Sequence, residues 1–208
     1  GQDKLIDKIL EANSNVILVV TSGSPVNITK WADKVPAIIQ SFFSGQEIGN
    51  AIADVIIGKY NPAGKLPISY PKAWEDCSAF NSYRKIDGTT EYSDGIYVGY
   101  RHFQKNNIKP LFPFGFGLSY TSYEYSNLSV TKEKKQYKVT FNIKNVGKYE
   151  GAEISQLYIA PIDSKIDRPV KELKRFNKVY LKPNEEKTIT IHFSVDDLRY
   201  FDVKSDNW

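Results

Sequence analysis

Apolar positions near the start of the chain follow two different rhythms. Between Lys4 and Leu10, the residues Leu5, Ile6, Ile9 and Leu10 recur at helical spacing, which predicts an amphipathic helix. Val16-Ile17-Leu18-Val19-Val20 is then an uninterrupted β-branched run, the pattern of a strand covered on both faces. After the turn-rich Thr21-Ser22-Gly23-Ser24-Pro25 a second run follows, Ala37-Ile38-Ile39-Gln40-Ser41-Phe42-Phe43. Beyond it Ile48, Ala51, Ile52, Val55 and Ile56 share one helical face, with Gly58 placed to end the helix. The region reads as an α-β-α-β-α order, with parallel strands joined by helical crossovers. Two doubly covered strands need neighbours, so further strands are expected upstream of Gly1.

The rhythm changes from Tyr123 onward. Tyr137, Val139, Phe141 and Ile143 alternate with polar residues, as do Ile189, Ile191 and Phe193, and Lys182-Pro183-Asn184-Glu185 carries turn chemistry. This is the pattern of a β-sandwich. Between the two halves, residues 72–109 are rich in Tyr, Asp, Asn and Gly without periodicity and read as an ordered meander. Pro110-Leu-Phe-Pro-Phe-Gly-Phe-Gly-Leu-Ser-Tyr120 mixes rings, prolines and glycines, so it reads as a buried, rigid connector.

Composition narrows the function classes. With 208 residues, 41% apolar and 25% charged, the chain is an ordinary globular sequence holding one large domain or two small ones. Its net charge of +4 is spread among interleaved acids and bases, so no stripe marks a nucleic-acid backbone. No apolar stretch reaches the length of a membrane span. The single Cys77 excludes an intrachain disulfide. The absence of Met, with Gly1 opening inside a predicted helix, leads us to expect a fragment.

Four motifs in order carry a family resemblance: Gly45-Gln46-Glu47-Ile48-Gly49-Asn50 through Gly58, Asn61-Pro62-Ala63-Gly64-Lys65-Leu66-Pro67, Asp94-Gly95-Ile96-Tyr97-Val98-Gly99-Tyr100-Arg101, and the Pro110–Tyr120 run. Together they resemble the C-terminal half of glycoside hydrolase family 3, the β-glucosidase and β-xylosidase family. Asn145-Val146-Gly147, Gln156-Leu157-Tyr158, Arg168-Pro169-Val170-Lys171-Glu172-Leu173 and Asp196-Asp197-Leu198 resemble the fibronectin-type-III-like domain that follows in that family. The resemblance implies α/β plus all-β architecture: residues 1–72 as the end of an α/β sandwich domain, 73–120 as connector and junction, and 121–208 as an immunoglobulin-like (fibronectin type III-like) β-sandwich clipped at its last strand. It implies a retaining exo-β-glycosidase, most simply a β-glucosidase with β-xylosidase as the alternative. Such an enzyme acts on β-linked glucosides without a cofactor, and its barrel and remaining sandwich segments are partners of these residues in the same protein. The family's nucleophile, an Asp in a barrel, and its acid/base, a Glu in an upstream loop, match no position here, so no catalytic residue is assigned. The reading from another class is a non-catalytic carbohydrate-binding or interaction module.

Individual side chains add little chemistry. Glu47 opens a predicted helix, where an acid meets the helix dipole and free amide groups, and that role is favoured over catalysis. Asp94 and Arg101 flank a Gly/Tyr segment and could reach substrate or pair with each other, and a structural pair is favoured. His102 and His192 fall in different predicted domains and suggest no metal site, and nothing near Cys77 in sequence would supply an activated thiolate. Among the aromatic residues, 13% of the chain, Phe112, Phe114 and Phe116 read as junction core and Tyr137 and Phe141 as sandwich core. Trp31, Trp74 and Tyr83 stay open as sugar-stacking candidates. Asn27-Ile28-Thr29 and Asn127-Leu128-Ser129 are glycosylation acceptor patterns.

Overall fold

The computed structural model describes residues 1–83 and 89–208, so the part of the predicted meander at 84–88 lies outside the described residues. The chain forms two compact units, neither of them contiguous: Gly1–Lys59 with Leu66–Phe116 and Ile166–Val170, and Tyr60–Lys65 with Gly117–Lys165 and Lys171–Trp208.

The first unit begins with α1, Gln2–Ala12, and holds the short parallel pair β1, Ile17–Val20, and β2, Ala37–Gln40, in register from Ile17 opposite Ala37 to Val20 opposite Gln40. Parallel pairing confirms the fold expected from the two apolar runs. The connection between them is different: no α-helix forms there. Residues 28–35 wind through tight turns, Trp31 and Ala32 donating to the Ile28 carbonyl and Lys34 and Val35 to that of Trp31. Pro36 disfavours a helical Val35 and stops any helix from running on into β2, and burial of Ile28, Trp31 and Val35 holds the turns. These three residues and Tyr70 form the core, with Ile6, Leu10, Leu18, Val20, Ile38 and Phe112 packed around it. α2, Ile48–Ile56, ends at Gly58 with φ +74°, as its sequence predicts. Among the described residues the pair is half-covered: no residue of β1 or β2 is fully buried, and Ile17 is 50% exposed. Their cover among the described residues is the Ile28–Trp31–Val35–Tyr70 cluster, against which Leu18, Val20 and Ile38 pack. β2 also stops three residues short of Phe43, because Phe42 turns left-handed at φ +49°.

α3, Tyr100–Lys105, follows the Gly95–Gly99 segment, and Phe103 is buried beneath it. The Pro110–Phe116 part of the aromatic run closes against the same unit. Tyr70 donates its N–H to the Phe112 carbonyl and accepts from the Leu111 N–H, each at 2.8 Å, and Phe112 stacks on Phe116 with centroids 5.3 Å apart. Burial is partial for Phe112, Phe114 and Phe116, and Leu118 is 75% exposed, so the run is less buried than its composition suggests.

The second unit is antiparallel. β3, Tyr123–Glu133, β4, Gln136–Asn145, and β7, Glu186–Ser194, form one sheet in the order β3-β4-β7, while β5, Gly151–Ile159, pairs with β6, Glu172–Leu181. Val139, Phe141, Ile143, Ile189, Ile191 and Phe193 face inward with Val179 and Leu181, so the predicted alternation is the core of the sandwich. The turn at 182–185 closes by donation from Glu185 N–H to the Lys182 carbonyl, with Asn184 at φ +63°. β3 carries a bulge between Ser126 and Ser129, at the acceptor pattern of Asn127.

Candidate functional site

Parallel strands place their carboxyl ends side by side, and in open α/β sheets ligands gather there. β1 and β2 bring Thr21-Ser22-Gly23-Ser24 beside Ser41, giving a shelf of hydroxyl groups. The Thr21 and Ser41 hydroxyls lie 2.9 Å apart, and Ser41 donates its backbone N–H to the Val20 carbonyl at 3.0 Å. Behind the shelf runs an ordered polar chain: Tyr70 donates its phenol to Gln40 Oε1 at 2.7 Å, and Gln40 Nε2 donates to Ser22 Oγ at 3.3 Å. Burial pushes the Tyr70 hydroxyl above its ordinary range and keeps it a donor, which fixes the Gln40 amide so that its NH2 faces Ser22. Gly23 leaves room for the Phe43 ring, whose edge would lie 2.6 Å from a Cβ at that position. Phe43 itself is 77% exposed at the shelf's edge. Such an edge can hydrogen-bond a polyol and stack against it, but the shelf holds no pair of facing carboxylates.

Glu47 occupies the N-cap position of α2. Its carboxylate accepts from the Asn50 side chain at 2.5 Å rather than from free helix amides, so the helix-end position expected from sequence is found without the backbone hydrogen bonds. The Asp94–Arg101 pairing does not form. Asp94 Oδ1 is buried without a hydrogen-bond partner among the described residues, and the Arg101 guanidinium reaches the Ile96 carbonyl at 3.5 Å. The segment between them turns at Gly95, φ +55°, and Gly99, φ +60°.

His102 on α3 bridges locally: Asn106 Nδ2 donates to its Nδ1 at 3.2 Å, leaving Nε2–H to donate to the Asp76 carbonyl at 3.2 Å. His192 is exposed on β7, opposite Lys138. Among the described residues no three His, Cys, Asp or Glu side chains group as a metal site. Burial, and after it the charges of Asp76 and Glu75, push the Cys77 thiol up, the reverse of what an activated nucleophile needs. Trp31 is core, 4% exposed, with its indole N–H 3.4 Å from Asp3 Oδ1. Trp74 and Tyr83 remain at the surface, 43% and 71% exposed, edge to face with centroids 5.7 Å apart.

Sequence reasoning missed two clusters. The Gln40–Tyr70–Ser22 chain joins residues far apart in sequence, and only the Ser/Thr/Gly turns after the two apolar runs hint at it. The other is Tyr97–Lys105–Asp167, where Asp167 Oδ1 accepts from Lys105 Nζ at 2.6 Å and from the Tyr97 hydroxyl at 2.5 Å. Lys105 also lies 4.7 Å above the Tyr97 ring centroid. These hydrogen bonds hold the Asp167 carboxyl below its ordinary range, Lys105 contributing most.

The Glycosyl hydrolase family 3 C-terminal domain signature matches residues 1–120, more than half the chain. The chain belongs to glycosyl hydrolase family 3. A fibronectin type III-like signature matches residues 153–208 of this family 3 chain. Thermostable beta-glucosidase B of Acetivibrio thermocellus is 41% identical over 212 aligned residues, covering 100% of the chain and 28% of the relative. Probable beta-glucosidase I of Aspergillus fumigatus is 45% identical, covering 92% and 24%. Among solved structures, the beta-glucosidase of Kluyveromyces marxianus in complex with glucose superposes with a TM-score of 0.94 at 38% identity, covering 99% of the chain and 25% of that structure. Beta-glucosidase 3B of Thermotoga neapolitana in complex with α-D-glucose gives a TM-score of 0.90 at 37% identity, over 96% and 29%. The chain therefore spans about a quarter of the length of the relatives it matches.

Proposed function

We propose that these residues are the C-terminal part of a retaining exo-β-glucosidase that removes terminal non-reducing β-D-glucosyl residues, and that they serve it as scaffold. Family membership combined with coverage of about a quarter of each relative carries this reading. Retention requires a nucleophilic carboxylate and an acid/base carboxyl about 5–5.5 Å apart across the anomeric carbon. In the proposal both come from other segments of the protein. The half-covered β1–β2 pair fits a sheet completed by such segments, and the hydroxyl shelf at its carboxyl edge would lie toward the sugar.

The test is turnover of an aryl β-glucoside. The 208-residue chain alone is expected to release no phenol above background, while a full-length protein containing it releases β-glucose before mutarotation, seen by proton NMR. Turnover by the isolated chain at rates near intact family members would overturn the scaffold role, and initial α-glucose would overturn retention. The exposed Trp74–Tyr83 pair favours a second reading, a sugar-binding module without catalysis. Saturable quenching of tryptophan fluorescence by cellobiose, lost in Trp74→Ala, would support it.

A further inference from the structure

We propose that Tyr60–Lys65, although placed between α2 and Leu66 in sequence, is a strap belonging to the β-sandwich, and that Lys65–Glu153 is the clasp that holds it. Each anchor lies within the second unit. Asn61 donates from Nδ2 to the Glu150 carbonyl at 3.0 Å, and its Oδ1 accepts from Ser119 Oγ at 2.9 Å and from the Tyr120 N–H at 2.8 Å. The amide thus uses both ends to join the entry to β3 with the entry to β5. Ala63 is 5% exposed, and Gly64 presses against Gly117, where a Cβ would stand 2.1 Å from the Gly64 carbonyl oxygen. Tyr60 and Tyr180 share a hydroxyl hydrogen bond at 2.7 Å.

The clasp is the most demanding of these contacts. Glu153 lies on β5 opposite Val179 with its side chain 13% exposed, and the Lys65 side chain is 17% exposed. Glu153 Oε2 is 3.2 Å from Lys65 Nζ, and Oε1 accepts the Tyr125 phenol at 3.1 Å. Lys65 also donates to the Gly117 carbonyl at 3.0 Å. A carboxylate in this position is tolerated only with its partners, because removing one member of a buried pair leaves an uncompensated charge. The β-sandwich therefore depends on six residues that precede its first strand by a long stretch of chain. A domain cut before β3 would leave Glu153 without its cation.

Hydrogen exchange of the intact 208-residue chain, resolved by segment, tests the strap. Lys65→Met is expected to speed exchange of the Tyr120 and β5 amides about tenfold or more while β1 and β2 stay unchanged. Adding Glu153→Gln removes the stranded charge and is expected to return β5 to within about threefold of the parent. Parental exchange in Lys65→Met, or a double variant no slower than the single one, would overturn the clasp. If Lys65→Met does not fold, Asn61→Ala decides for the strap, since it strands no charge: faster exchange at Tyr120 supports it, and unchanged exchange overturns it.

Discussion

The two units bury their apolar residues in different ways. In the sandwich, strict alternation places eight hydrophobic residues in one closed core, with Ile143 at 0% and Leu181 at 1% exposure. In the α/β unit the strands are more uniformly apolar, yet none of their residues is fully buried, and Ile56 at the end of α2 and Ile57 just after it are 42% and 71% exposed. An alternating strand carries its own solution, one face in and one face out. A continuous apolar strand is only as buried as the neighbours it can recruit.

The largest test of that contrast is truncation. Ile143→Ala should destabilise the sandwich by about 3 kcal/mol, while Leu18→Ala in half-covered β1 should cost the α/β unit about 1 kcal/mol. Urea unfolding followed by segment-resolved hydrogen exchange measures both. Equal losses would mean that the parallel pair is as well packed as the sandwich.

A smaller effect concerns the turn after β7. Asp197 accepts from the Ser194 backbone N–H and from Arg175, each at 2.7 Å, and these bonds hold its carboxyl below the ordinary 3.8, the Ser194 bond most. A depressed folded pKa adds stability that is fully present above the unfolded value and disappears as pH falls through the folded one. The sandwich should therefore weaken below about pH 4, and Asp197→Ala should lose about 1 kcal/mol at pH 7 and be less sensitive to acid over that window. An unchanged urea midpoint at pH 7 would refute this role. The smallest expected change is at Glu11, whose pairing with Lys8 at 2.6 Å is well exposed on α1. Glu11→Gln should shift stability by no more than about 0.5 kcal/mol, within the error of the same urea experiment.

Local patterns were legible where one short stretch carried the whole signal. The helical face around Ile52 with its stop at Gly58, the alternation in β4 and β7 and the turn at 182–185 can each be read from about a dozen residues or fewer. The crossover was misread because turn-rich residues 28–35 owe their shape to burial of Ile28, Trp31 and Val35, a tertiary effect. The Asp94–Arg101 pairing was misread because sequence spacing does not show which acceptor a guanidinium turns to: Arg101 reaches the Ile96 carbonyl, and Asp94 Oδ1 is buried without it. The hydroxyl shelf needs the parallel register of β1 and β2 before Thr21 can meet Ser41.

Sequence by itself determined the two architectures, the family and the positions of α1, β1, β2, α2, β4 and β7, since periodicity and motif order are local properties of the chain. Tertiary structure alone decided which segment serves which unit. Tyr60–Lys65 packs with the sandwich and Ile166–Val170 with the α/β unit, against their order in the chain. The reason is physical: a buried Glu153 needs a cation and an exposed Asp167 takes the nearest one, and chain order names neither Lys65 nor Lys105 as the partner.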